Sequence, residues 1–301
     1  METEADIKAK NDLYFAIFVT VAVTVIQILG FYFSNSLALL SDTVHVVSDL
    51  LAMTIGFIAM RMALKTPTQR STFGFHRAEV FSAALNGTLL LVLTIFIATE
   101  AVQRFAYPSD ITPLPLLFAA IVGLIGNLVV ATRLQKNENM NMHSVFLHVA
   151  GDALSSIGVI FGAIVIYFTG LAIVDSIVSL LIAVILSISA YGLLKSALSI
   201  LFESAPASAT PEIIIAELKK IKEVRDIHDV HIWSICSDIH FATAHVVVED
   251  KLVSKTKKIV DKMDEAMEKI GISHATFQIE NEMCENSICY TWHGTEHHHH
   301  H

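Results

Sequence analysis

Apolar residues gather into six long stretches, at roughly 13–33, 37–62, 80–104, 113–133, 143–168 and 172–200. An α-helix needs about 20 apolar residues to cross the hydrocarbon core of a bilayer, so each stretch predicts a membrane-spanning helix. After Glu203-Ser204-Ala205-Pro206 the pattern changes to mixed charge and short periods. Pro211 to Glu223 has helical spacing with proline in its first turn. Val230 to Ile235 and Phe241 to Val248 alternate as half-buried strands do, Ser254 to Ile270 reads as an amphipathic helix, and Ala275 to Ile279 as a further strand. The expected architecture is a membrane all-α domain of six helices over residues 1–206, then a small α+β domain of order αββαβ over 207–290, then a tail over 291–301. A unit of about 80 residues is small for an independent core, which favours packing against a second copy and predicts a homodimer.

Composition supports the membrane assignment. Apolar residues make up 53% and charged residues only 16%, mean hydropathy is +0.59, and a soluble domain of this length carries more charge. The net charge of -9 comes largely from the C-terminal third and the N-terminal acids. With no basic stripe on the chain, nucleic acid is not an expected partner. Lys8 and Lys10 precede the first span, Arg61, Lys65, Arg70 and Arg77 surround the connection between spans 2 and 3, and Arg133 and Lys136 follow span 4. Cytoplasmic loops are enriched in Lys and Arg, so both termini are expected in the cytoplasm. The first apolar run is too long for a cleavable signal peptide. Compact loops point to a bacterial inner membrane. Cys236, Cys284 and Cys289 fall on the cytoplasmic side, where thiols stay reduced. Gly294 to His301 reads as a purification tag, and its five terminal histidines are set aside.

Within the apolar runs the pattern H-x-x-x-D occurs twice, as His45 with Asp49 and as His148 with Asp152. A step of four residues stacks both side chains on one helix face. Ionisable side chains inside membrane helices are costly and find partners in one another, and a matched duplicate rarely arises by packing. Two such helices offer two imidazoles and two carboxylates, a set that suits a tetrahedral divalent ion of borderline softness, zinc first. Two aspartates neutralise the dication. When the ion leaves, adjacent carboxylates repel and imidazoles accept protons near neutral pH, so metal and protons compete for one site. The expectation is a zinc/proton antiporter working outward. An intramembrane metalloenzyme is the weaker alternative, since no H-E-x-x-H is present. A membrane metal sensor would not need four ligands at membrane depth, and tight four-fold ligation disfavours a channel.

Several segments together resemble the cation diffusion facilitators. They are Ser36-Leu37-Ala38-Leu39-Leu40-Ser41-Asp42 running into His45 and Asp49, then Thr72-Phe73-Gly74-Phe75-His76-Arg77-Ala78-Glu79, then Leu147-His148-Val149-Ala150-Gly151-Asp152-Ala153-Leu154. His231-Ile232-Trp233-Ser234 and Ala244-His245-Val246 are similar to the same family's cytosolic domain. The resemblance implies a homodimeric metal/proton antiporter with a site formed by spans 2 and 5 and a ferredoxin-like cytoplasmic domain able to bind further metal. His45 in the first ligand position is similar to zinc-type members and favours zinc over cadmium.

Departures from the family pattern narrow the carry-over. Gln135 to Met142 is rich in Asn and Met rather than His, and the loop between spans 2 and 3 keeps only His76, with His274 a partner to consider. Asp175-Ser176 stands where the family has Asp-Pro, and Asp175 receives no role. In the cytosolic part His228, His231, His240, His245, His274 and Glu280 lie on or beside the strands. Side chains three apart in a regular strand face opposite ways, so His228 and His231 are not expected to act together. The resemblance favours His228, His245 and Glu280, with His274, as accessory metal ligands, and Cys284 and Cys289 follow closely. Arg77 and Glu203 resemble positions where the family places a charge pair. Asn86 and Asn127 are candidates for hydrogen bonds between spans.

Overall fold

A computed structural model describes the backbone of residues 4–134 and 140–282, with side chains described outside 4–13, 134, 140–150 and 254. Six long helices come first: α1 (Glu4–Ser34), α2 (Leu37–Ala63), α3 (Arg77–Ala106), α4 (Pro113–Leu134), α5 (Met140–Thr169) and α6 (Ile173–Leu201). All are long and apolar enough to cross a membrane. They are followed by α7 (Pro211–Leu218), β1 (Val224–Cys236), β2 (Ile239–Val248), α8 (Val253–Lys269) and β3 (His274–Glu280), the αββαβ order expected. The chain forms two compact units, one from residues up to 58 together with 82–194, the other from 59–81 and 195 onward.

In the first unit small residues let helices approach. Ala38, Ala119, Ala120 and Ala163 share one buried cluster with Leu39, Leu116, Val159 and Ile166. Without a hydrophobic drive between helices in lipid, close backbone packing holds such bundles together. A Cβ on Gly126 of α4 would lie 2.4 Å from a Val23 methyl of α1, so only glycine fits there. Large apolar side chains face outward instead: Phe18 is 72% exposed, Phe118 65%, Phe161 66% and Ile188 68%. In water such faces would drive aggregation; in a bilayer they meet acyl chains.

The turn between α1 and α2 is tight. Asn35 takes a left-handed backbone (φ 57°), which asparagine tolerates better than most residues. Its carbonyl accepts a hydrogen bond from Arg104 at 2.8 Å. Ser36 then caps α2, its hydroxyl accepting from the Leu39 N–H at 3.1 Å.

In the second unit β2 pairs antiparallel with β1 and parallel with β3. One face of this sheet packs on α7 and α8 through Ile214, Leu218, Ile227, Ile232, Ala244, Val246, Ile259, Met263 and Met267. The end of α8 is a Schellman motif: Ile272 N–H donates to the Met267 carbonyl at 3.0 Å and Gly271 N–H to Glu268 at 3.0 Å, with Gly271 left-handed at φ 84°. Two boundaries differ from the sequence expectation. Helix α7 stops at Leu218 and a turn follows, closed by Ile221 N–H on the Leu218 carbonyl and Val224 N–H on Ile221. Strand β1 therefore begins at Val224 rather than Val230. Register shifts after Val224 and after His228 interrupt the alternation that marks a strand in sequence.

Candidate metal centre

Helical spacing puts Asp42, His45 and Asp49 on one face of α2, at steps of three and four. Across from them, α5 carries Asp152 and, one turn further along, Ser155 and Ser156. His45 sits between two carboxylates: its Nε2 lies 3.1 Å from Asp152 Oδ1 and its Nδ1 3.5 Å from Asp49 Oδ2. One ligand atom from each of the three residues lies within 4.8 Å of the others. A nitrogen and two carboxylate oxygens at this separation offer three of the donors a divalent cation takes, with two negative charges against its two positive ones. His148 lies in α5 one turn before Asp152; its side chain falls outside the described residues.

Asp42 and Asp175 are acidic side chains in the membrane unit to which sequence reasoning gave no part. Asp42 is only 2% exposed. It accepts hydrogen bonds from Gln27 Nε2 of α1 at 2.8 Å and from the Ser155 hydroxyl of α5 at 2.7 Å. Asp175, in the first turn of α6, accepts from the Leu37 N–H at 2.6 Å, the Ala38 N–H at 3.3 Å and the Ser36 hydroxyl at 2.5 Å. It thus meets amide protons that a helix N-terminus leaves without intrahelical partners. The signal for Asp42 is its place one turn before His45; Asp175 is marked only by the family motif at 175–176, which carries no role by itself.

A second cluster lies in the other unit. His228 and His245 are directly paired between β1 and β2, and β3 brings Glu280 level with Val247, two residues on from His245. Glu280 approaches His228 Nε2 at 3.2 Å and His245 Nδ1 at 3.0 Å. These three also offer one ligand atom each within 4.8 Å of one another. The separation of His228 from His231 expected for a regular strand does not hold, because β1 is bulged there and Asp229 takes a left-handed backbone (φ 50°). Asp229 consequently reaches both His231 Nε2 at 3.0 Å and His245 Nε2 at 3.5 Å. Nothing in the sequence marks Asp229, since only the bulge turns it toward the histidines.

The remaining candidates are placed elsewhere. His274 pairs in register with Phe241 and lies against its ring, 5.4 Å between centroids, four positions before Gln278, the partner of His245. Neither His274 nor His76 belongs to a ligand cluster among the described residues. His76 sits in the turn that opens α3, its carbonyl accepting from the Glu79 N–H at 3.2 Å. His240 accepts or donates one hydrogen bond with the Ser234 hydroxyl at 2.8 Å. Arg77 and Glu203 form an ion pair at 2.8 Å, with 45% and 60% of their side chains exposed; pairs so exposed contribute about 0–1 kcal/mol. Cys284, Cys289 and the segment 135–139 lie outside the described residues, while Cys236 is a buried free thiol.

Six helices long and apolar enough to cross a membrane, two of which bring imidazole and carboxylate groups together, followed by a small α+β domain, define a multi-pass membrane protein. The transmembrane family model "Cation efflux transmembrane domain" matches residues 13–202, and "Cation efflux protein, cytoplasmic domain" matches residues 206–282. Among curated relatives, the cadmium, cobalt and zinc/H(+)-K(+) antiporter of Bacillus subtilis is 34% identical over 86% of this chain and 85% of its own length. The zinc transporter ZitB of Escherichia coli is 33% identical over 96% and 93%, and the metal cation efflux system protein CzcD of Cupriavidus metallidurans 32% over 92% and 89%. The chain belongs to the cation efflux family, the cation diffusion facilitators, whose members are metal transporters and not enzymes.

Proposed function

We propose that the protein exports zinc in exchange for protons through a site built by His45 and Asp49 of α2 and His148 and Asp152 of α5. The observation that carries this reading is the convergence of His45, Asp49 and Asp152 within 4.8 Å. Position 148 completes the set because the helices run in opposite directions: 45 faces 152, and 49, one turn on, falls level with 148. Two imidazoles and two carboxylates hold a borderline dication in a neutral tetrahedral site without geometric strain. The names of the Bacillus and Escherichia relatives support zinc as cargo, and the former also names exchange against H(+).

The proton step follows from the same groups. With the cation gone, the carboxylates lose their counter-charge and the imidazoles, which ordinarily titrate near neutral pH, take up protons. Metal binding on the cytoplasmic side releases them again. A site that opens to one side at a time then couples an inward proton gradient to outward metal flow.

The reading extends to the rest of the chain. Residues 207–290 form a cytoplasmic domain that pairs with its copy in a homodimer, supported by the match to a cytoplasmic-domain family model, and both termini face the cytoplasm of a bacterial inner membrane. His228, His245 and Glu280, joined by Asp229, hold a further zinc ion there.

The test is zinc uptake into proteoliposomes with and without an imposed proton gradient. Gradient-driven uptake by the intact chain that disappears in His45→Ala supports the antiporter; gradient-independent uptake, or uptake unchanged by His45→Ala, refutes it.

A further inference from the structure

The geometry points to Asp42 as a positioning residue that locks the register of α2 against α5, and with it the spacing and ion preference of the site; this inference rests on the transport reading above. Two cross-helix contacts form consecutive rungs. His45 meets Asp152 at 3.1 Å, and Asp42 meets Ser155 at 2.7 Å. Going three residues back along α2 corresponds to going three residues forward along α5, as antiparallel helices in register require. The Asp42 rung is thus the neighbour of the rung that holds the ion, one turn away, and it consists of a carboxylate hydrogen bond, which is shorter and stiffer than a contact between apolar side chains.

The rung is anchored from behind. Asp42 is 2% exposed, Gln27 1% and Ser156 0%. Gln27 of α1 donates to Asp42 Oδ2 at 2.8 Å, and the Ser156 hydroxyl approaches the same oxygen at 3.4 Å. Gln27 owes its place to Gly123 of α4, where a Cβ would come within 2.7 Å of the amide nitrogen. Three donors from α1 and α5 therefore converge on one carboxylate of α2, and none of them belongs to the proposed ligand set. A displacement of about 1 Å at a site of this kind is enough to change its performance by roughly 100-fold. Because a tetrahedral zinc site demands close donor spacing, loss of the rung relaxes the distance between α2 and α5 and favours larger ions over zinc.

The test compares zinc and cadmium transport by the full-length chain in proteoliposomes for Ser155→Ala, Ser155→Thr, Asp42→Ala and Asp49→Ala. Asp42→Ala and Ser155→Ala are expected to raise KM for zinc roughly tenfold, leave kcat within about twofold and shift the zinc to cadmium preference toward cadmium. Ser155→Thr, which keeps the hydroxyl, restores both values. If the Ala variants only reduce the amount of active protein, with KM and preference unchanged, or if Thr is as impaired as Ala, Asp42 has no positioning role. Asp49→Ala separates the two ideas: full transport by that variant overturns the site itself, whereas its inactivity beside unaltered Asp42 and Ser155 variants overturns only the rung.

Discussion

Asp175 holds the backbone N–H of Leu37 at 2.6 Å across 138 positions of sequence. The start of α2 is therefore capped from outside, by the first turn of α6, in addition to its own Ser36. In lipid no water stands ready to replace a lost acceptor, so the cap does more than it would on a soluble helix. Asp175→Ala is expected to destabilise the chain by about 1–2 kcal/mol, in the range of lost N-caps. A lower unfolding temperature in detergent, with KM for zinc unchanged in the protein that remains folded, checks this; an altered KM would assign Asp175 to the ion path instead.

Removing a ligand should have the opposite signature. On the proposed site, Asp49→Ala and Asp152→Ala would each take away a donor oxygen and half of the charge that offsets the cation. Transport is expected to fall about 100-fold or more, beyond the cost usual for groups one layer out, while the circular dichroism spectrum and elution volume stay as in the intact chain. Flux measured beside those two controls decides it, and undiminished flux in either variant rejects the proposed ligand.

The cytosolic cluster can be read by metal binding alone. In a His45→Ala background, which removes a proposed ligand of the membrane site, equilibrium dialysis of the full chain should still detect zinc. Glu280→Ala is expected to remove that zinc, since Glu280 contacts both His228 and His245, and Asp229→Ala to weaken it. Unchanged stoichiometry in Glu280→Ala would show that the cluster is a hydrogen-bonded pair of strands and nothing more.

A pH effect follows from Glu223, just before β1. The hydrogen bond from Lys262 of α8, at 2.7 Å, and then one from its own backbone N–H hold its carboxyl below the usual value of 4.5. A carboxyl lowered on folding stabilises the fold above its unfolded pKa, and that contribution fades as pH falls through the lowered folded value. Glu223→Gln should thus unfold at a slightly lower temperature than the intact chain at pH 7 and at the same temperature in strong acid. Thermal scans of both at several pH values test this; a gap that widens on acidification contradicts it.

Much of the fold is visible in the chain because membrane burial writes a coarse pattern. A span needs a run of apolar residues and nothing subtler, so six helices were legible to within a few residues at most ends. His45, Asp49 and Asp152 were legible for a different reason: a four-residue step is a local signature, and charged groups in apolar runs stand out. What escaped notice depends on distant or irregular partners. Asp175 finds its purpose only when α6 meets α2, and Asp42 only when Gln27 and Ser155 close around it. Asp229 turns toward His231 and His245 because β1 is bulged, and a period-two reading assumes no bulge. The family resemblance points to His274 as a further ligand, yet parallel pairing of β3 sets it beside Phe241.

The glycines of α4 have a mechanical consequence. With the Val23 side chain against Gly126 and the Gln27 side chain against Gly123, α1 side chains seat directly on the α4 backbone, a seam too tight to slide, since a ratchet of one turn would drive side chains into main chain. Helices α1 and α4 are therefore expected to move together as one rigid pair. Spin labels on this pair should keep a constant separation with and without zinc.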